Sequence, residues 1–154
     1  MIKYLLKLRF IILPLFLLGI PQSCTVEDDG LSLIEELENM MQTENGWEIS
    51  LFMDSEENET YLFSDYTFVF KDNGTLTAST GSNTFEGTWS ITDSDSYDDD
   101  DSSDDVDFNI NFNLDNNLDE LTDDWDIITK SENKIELIDI SGDGDTEYLS
   151  FEKL

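Results

Sequence analysis

The chain has 154 residues, with 37 Asp and Glu against 7 Lys and Arg, no His and one Cys, for a formal net charge of −30. That length makes one domain at most, and a lone Cys excludes an internal disulfide framework. Phosphate binding needs clustered Lys and Arg, so nucleic acid is a poor partner and none is expected. Without His, the Ser-His-Asp and Cys-His machineries and histidine zinc sites are excluded too.

The first segment reads as an address. Lys3, Lys7 and Arg9 precede an apolar run from Phe10 to Ile20, broken only by Pro14 and Gly19. A basic start, an apolar stretch of about 7–15 residues and a small residue before a cut describe a secretory signal peptide. The run is short for a membrane span, which takes about 20 apolar residues. Its ending, Ile20-Pro21-Gln22-Ser23-Cys24, resembles a bacterial lipobox. That resemblance implies removal of residues 1–23, acylation of Cys24 with chains such as palmitate, and membrane attachment through them. Two lipid signals suffice for stable anchoring. Thr25, standing where an Asp would favour inner-membrane retention, points by the same resemblance to the outer membrane. Glu27-Asp28-Asp29 resembles a surface-export signal, and it also reads as a plain solvated tether over residues 24–30.

The remainder, residues 31–154, reads as one small β domain. With residues 1–23 removed, four lysines face 37 acids, a net of −33. A domain of this size can still bury about two-thirds of its unfolded surface. Leu31 to Gln42 predicts a short helix, since Leu31, Ile34, Leu37 and Met41 recur at spacings of three and four. Asn45-Gly46 ends it. The period then changes to two. Trp47, Ile49, Leu51 and Met53 alternate with polar residues, with Phe52 the exception. Tyr66, Phe68 and Phe70 lead into a hairpin turn at Asp72-Asn73-Gly74, and Thr75 to Thr80 returns. Phe85, Gly87, Trp89 and Ile91 follow, then Val106, Phe108, Ile110, Phe112 and Leu114. Trp125 and Ile127 open a strand ending near Lys130, and Ile135–Ile140 and Glu147–Lys153 form a last hairpin. Strict alternation marks antiparallel sheet with one buried and one wet face. About eight such strands make an up-and-down β-barrel behind one short helix, or a β-sandwich.

Asn45-Gly46-Trp47, Phe68-Val69-Phe70-Lys71-Asp72-Asn73-Gly74-Thr75, Gly87-Thr88-Trp89-Ser90-Ile91, Trp125-Asp126-Ile127 and the closing Tyr148-Leu149-Ser150-Phe151-Glu152-Lys153-Leu154 stand in an order that resembles the lipocalin-like domains of small lipoproteins of Gram-negative, Bacteroidota-type bacteria. The resemblance covers roughly residues 31 to 154. It implies a barrel with an apolar interior and no particular ligand.

Three candidate sites follow. Trp47, Phe68, Phe70, Phe85, Trp89, Phe108, Phe112 and Trp125 are expected to face inward. They would line a pocket for a small apolar ligand, or fill the barrel themselves. Between Asp93 and Asp105 stand eight aspartates, centred on Asp98, Asp99, Asp100 and Asp101. Such a run is a solvated loop of like charge, or a weak Ca²⁺ site of ~10⁻³ M. Asp139-Ile140-Ser141-Gly142-Asp143-Gly144-Asp145 begins like a calcium loop, with Asp139, Asp143 and Asp145 as ligands. The closing position falls on Ser150 instead of Glu, and a glycine-rich hairpin turn accounts for the same residues. No phosphate loop or dinucleotide fingerprint occurs, and catalysis and further cofactors are not expected. The expected protein is a lipid-anchored, outer-membrane or cell-surface binding module for a small apolar ligand. The rival is an acidic structural or interaction module that takes divalent cations weakly or meets a protein partner.

Overall fold

The computed structural model describes residues 32–93, 106–141 and 144–154. One helix, α1 (Leu33–Met41), precedes nine strands: β1 (Trp47–Asp54), β2 (Glu57–Asn58), β3 (Thr67–Phe70), β4 (Thr75–Thr80), β5 (Asn83–Asp93), β6 (Val106–Asn111), β7 (Asp123–Ser131), β8 (Lys134–Ile140) and β9 (Thr146–Lys153). Every pairing is antiparallel, in the order β2-β1-β3-β4-β5-β6-β7-β8-β9, and β9 pairs back onto β1 from Trp47↔Lys153 to Asp54↔Glu147. The two-residue β2 is an appendage of β1, so the other eight strands form a closed barrel. Closure satisfies the edge groups that an open sheet would expose, and it decides for the barrel over the sandwich.

The helix starts at Ser32, whose Oγ accepts from the Glu35 N–H at 3.2 Å. This satisfies one of the free donors of the first turn, and Glu35 and Glu36 complement its positive end. Leu37 and Met41 are buried, and the Met41 carbonyl accepts from Trp47 Nε1 at 2.8 Å. Gly46, at φ +85°, reverses the chain between them. A Cβ there would lie 2.7 Å from Thr67 Cγ2 and 2.9 Å from Phe68 O. Leu33 and Leu37 lie beside Val106 and Ile127, and Lys130 Nζ is 2.9 Å from Glu36 Oε1. These contacts place α1 across the mouth at which β1 begins.

The opposite mouth is closed by two 3-10 turns, Thr60–Phe63 and Asn117–Leu121, which bury Phe63, Leu118 and Leu121. Asn117 Nδ2 donates to Leu62 O at 2.9 Å and ties them together. Each turn is tied to a strand through a threonine hydroxyl. Thr60 Oγ1 accepts from Phe52 N at 2.9 Å and donates to Phe52 O at 3.4 Å. Thr122 Oγ1 does the same for Phe112, at 2.8 and 3.2 Å. One hydroxyl stands in for a strand partner, so the backbone stays satisfied where the ladder ends.

The strand readings hold with two adjustments. The irregular Phe52 marks a β-bulge between Ile49 and Leu51, which moves Phe52 and Asp54 onto the inward phase of Trp47 and Ile49. The strand expected through Leu114 ends at Asn111, because the chain turns into the second 3-10 turn. Phe112 stays fully buried beyond it, over Gly87. A Cβ on Gly87 would sit 2.5 Å from Asn111 O and 2.6 Å from Phe112 Cδ1, so glycine leaves the space that the ring fills.

Candidate functional site

The barrel axis is occupied by rings. Trp47, Phe68, Phe70, Trp89, Phe108, Phe112 and Trp125 are buried, while Phe85 is half-buried beside Tyr66, with centroids 6.3 Å apart. Phe70 is the hub. Its centroid lies 5.2 Å from Trp89, 5.8 Å from Phe108 and 5.4 Å from Phe151, with interplanar angles of 79–86°. Edge-to-face packing at these distances is the favoured arrangement of aromatic quadrupoles. The three indole N–H groups are also satisfied, by Met41 O, Lys71 O at 3.0 Å and Leu121 O at 3.2 Å. Of the residues read as a pocket lining, Phe70, Trp89 and Phe108 are in mutual ring contact, the other buried ones belong to the same core cluster, and the indole N–H groups are paired to the protein's own backbone.

The inward phase does not stay apolar along the whole barrel. Toward the mouth with the 3-10 turns it passes from Phe52 to Asp54 in β1, from Leu149 to Glu147 in β9, from Leu137 to Asp139 in β8 and from Trp125 to Asp123 in β7. Asp54, Glu147 and Asp139 are consecutive cross-strand partners. Like charges in such positions repel. Burial, and then the charges of Asp54, Asp123, Asp139 and Glu120, push the Glu147 carboxyl up to about 7. Burial also raises Glu120, helped by Glu59 and Asp54. Asp123 is raised as well, chiefly by burial. The four lysines of residues 24–154 all belong to the other mouth: Lys71 after β3, Lys130 near the end of β7, Lys134 at the start of β8 and Lys153 at the end of β9. Lys153 Nζ lies 5.2 Å from the Trp47 ring centroid, and Lys134 bridges Glu136 and Glu152 at 2.8 and 3.5 Å. The barrel is thus electrically polarised along its axis.

Beside the acidic mouth an open groove of about 670 Å³ lies between Asp54, Ser55, Glu56 and Glu57 on one side and Gly144, Asp145 and Thr146 on the other. Of the proposed calcium loop, Asp139 points inward from β8 and accepts from Ser141 Oγ at 3.1 Å, while Asp145 is exposed in the β8–β9 turn. The turn is closed by Ser141 N–H to Asp145 O at 3.0 Å and Gly144 N–H to Ser141 O at 2.9 Å, the geometry of a hairpin. Asp98, Asp99, Asp100, Asp101, Asp143 and Cys24 lie outside the described residues. Among the described residues no group of three or more acidic side chains is arranged to hold a metal ion, and no helix is long and apolar enough to cross a membrane. The mouth acts as a region of negative potential.

Asp54, Glu59, Glu120, Asp123 and Glu147 were missed by sequence reasoning. For Asp54, Asp123 and Glu147 the signal was a carboxylate on the core phase of a strand, hidden in β1 by the bulge and elsewhere by the abundance of acids; Glu59 and Glu120 belong to the two 3-10 turns and gave no periodic signal. Comparison of the chain with known protein families, characterised proteins and solved structures finds no match.

Proposed function

We propose that the chain is a lipid-anchored envelope protein whose barrel is a non-catalytic interaction module, related to the lipocalin-like domains of small bacterial lipoproteins. Cys24 carries the acyl chains at the outer membrane or cell surface. Residues 24–30 are the acidic tether. The barrel meets its partners from outside, through its acidic surface, with weak attraction of divalent cations to the mouth around Asp139 and Glu147 as a consequence of that charge.

The observation that supports action from outside is the interior. Phe70 touches Trp89, Phe108 and Phe151 across the barrel axis, and both mouths are covered by the chain itself. A small apolar ligand would have to displace those rings, losing contacts worth about 0.5–1.5 kcal/mol for each aromatic pair.

Expression in a Gram-negative host grown on labelled palmitate tests the anchor. The wild-type chain is expected to carry label and sediment with membranes, and the Cys24→Ser chain to carry none and leave the membrane fraction. Label persisting in the Cys24→Ser chain would refute lipidation at this residue.

A further inference from the structure

The outer face of the barrel is not uniform. Along β5 it presents Thr84, Glu86, Thr88, Ser90 and Thr92, and along β6 Asp107, Asn109 and Asn111, as a wet sheet face should. Across β1, β9 and β8 it turns apolar. Met53, Tyr148 and Ile138 are consecutive cross-strand partners on the outward phase. Leu51 flanks them on one side and Ile140 on the other. Ile140 is 63% exposed and Tyr148 38% exposed; among the described residues Tyr61, Ile128 and Leu154 are exposed as well, but they are not part of this cross-strand row.

Carboxylates surround this patch. Asp126 is the cross-strand neighbour of Ile138, Glu136 that of Ser150, and Glu48 that of Glu152. Glu56 and Glu57 stand beyond Asp54 at the tip of β1. Lys134, at the start of β8, is already engaged by Glu136 and Glu152. An apolar centre with Tyr and an acidic rim has the anatomy of a protein-binding surface.

Resting on the reading that the barrel acts from its outside, we propose that the β8–β9–β1 outer face docks a basic protein: one presenting an apolar centre to Tyr148, Ile138, Ile140 and Met53, and a Lys/Arg rim to the surrounding carboxylates. Charge selects this occupant. A second copy of the chain would bring another large negative charge to the same rim. An anionic leaflet would be repelled in the same way. A basic protein face gains from the rim and the centre together, the rim steering the encounter and the centre holding it.

The test uses the full chain in neutral detergent and two synthetic basic peptides of equal length and charge, one alternating Lys with Leu in an amphipathic pattern and one replacing Leu by Ser. The Lys/Leu peptide is expected to bind at least about tenfold more tightly, the effect of one buried anchor side chain. The Tyr148→Ser and Ile140→Ser chains, checked for an unchanged melting temperature, should each lose most of that preference. Equal binding of the two peptides would overturn the proposal, because charge alone would then be sufficient. So would a preference retained in both variants. A concentration-dependent dimer in sedimentation, abolished by Tyr148→Ser, would assign the patch to a second copy and overturn it as well. None of these outcomes touches the labelling of Cys24, so failure of the patch and failure of the anchor are distinguishable.

Discussion

Replacing Phe70 by Ala is expected to destabilise the barrel by about 3–5 kcal/mol, the usual range for deleting a fully buried ring. The position makes the upper half of that range the expectation. Phe70 is 2% exposed, and its ring meets Trp89, Phe108 and Phe151, which belong to β5, β6 and β9. Its loss opens the contact between strands on different sides of the barrel. Those partners are held by their own strands and cannot collapse into the gap, which is why the cavity adds to the lost transfer energy. A domain of this size has about 5–15 kcal/mol of stability in all, so the variant should unfold at much lower denaturant with an unchanged slope. Phe85→Ala, at a half-buried position beside Tyr66, is the internal comparison and should lose about 1–2 kcal/mol. A Phe70→Ala chain as stable as wild type would mean that the rings do not form the core described.

Lowering the pH through the neutral range is expected to stabilise the fold, opposite to the usual behaviour of ion-paired carboxylates. Glu147 is raised from 4.5 to about 7 by burial and by Asp54, Asp123, Asp139 and Glu120. The folded chain therefore holds this proton more tightly than the unfolded chain, and folding takes up a proton between those two values. Stability rises as pH falls from about 7 to about 4.5, and declines as pH rises through the same window. The full shift would be worth roughly 3 kcal/mol at 1.36 kcal/mol per unit. The side chain is partly open to water, and screening reduces this to about 1–2 kcal/mol. Glu147→Gln keeps the shape and removes the charge. It should raise stability at pH 8 by that amount and flatten most of the slope. Glu120 and Asp123 are raised in the same direction and should leave a smaller residual slope. Chemical denaturation at several pH values measures both effects. A Gln variant that is less stable than wild type at pH 8 would show that Glu147 is held by favourable contacts instead.

Much of the fold was legible in the sequence because alternation is a local signal. Phe68 and Phe70, Trp89 and Ile91, and Phe108 and Ile110 announced their strands, and Asp72-Asn73-Gly74 announced its turn, through residues within a few positions of one another. What was not legible depends on residues far apart. Nothing local says that Trp47 pairs with Lys153 and Asp54 with Glu147, yet that pairing makes a barrel instead of a sandwich. The break at Phe52 was visible but did not declare itself a bulge. The 3-10 turns were invisible because Thr60 and Thr122 look like any surface threonine until their hydroxyls are seen on Phe52 and Phe112. The acidic mouth was hidden for a different reason. A carboxylate on the core phase is informative only where carboxylates are scarce, and here 37 compete for attention. The apolar outer stripe of Met53, Tyr148 and Ile138 likewise exists only once three strands are in register.

A barrel filled by its own rings is proposed to work from its outside. Native mass spectrometry of residues 24–154 with Cys24→Ser, purified without denaturant, tests it most directly. The bare polypeptide mass is expected, unchanged when a long-chain fatty acid is added. A stoichiometric small-molecule adduct that survives gentle ionisation, is released on unfolding and is lost in Phe108→Ala would contradict it, and would make the interior the binding site.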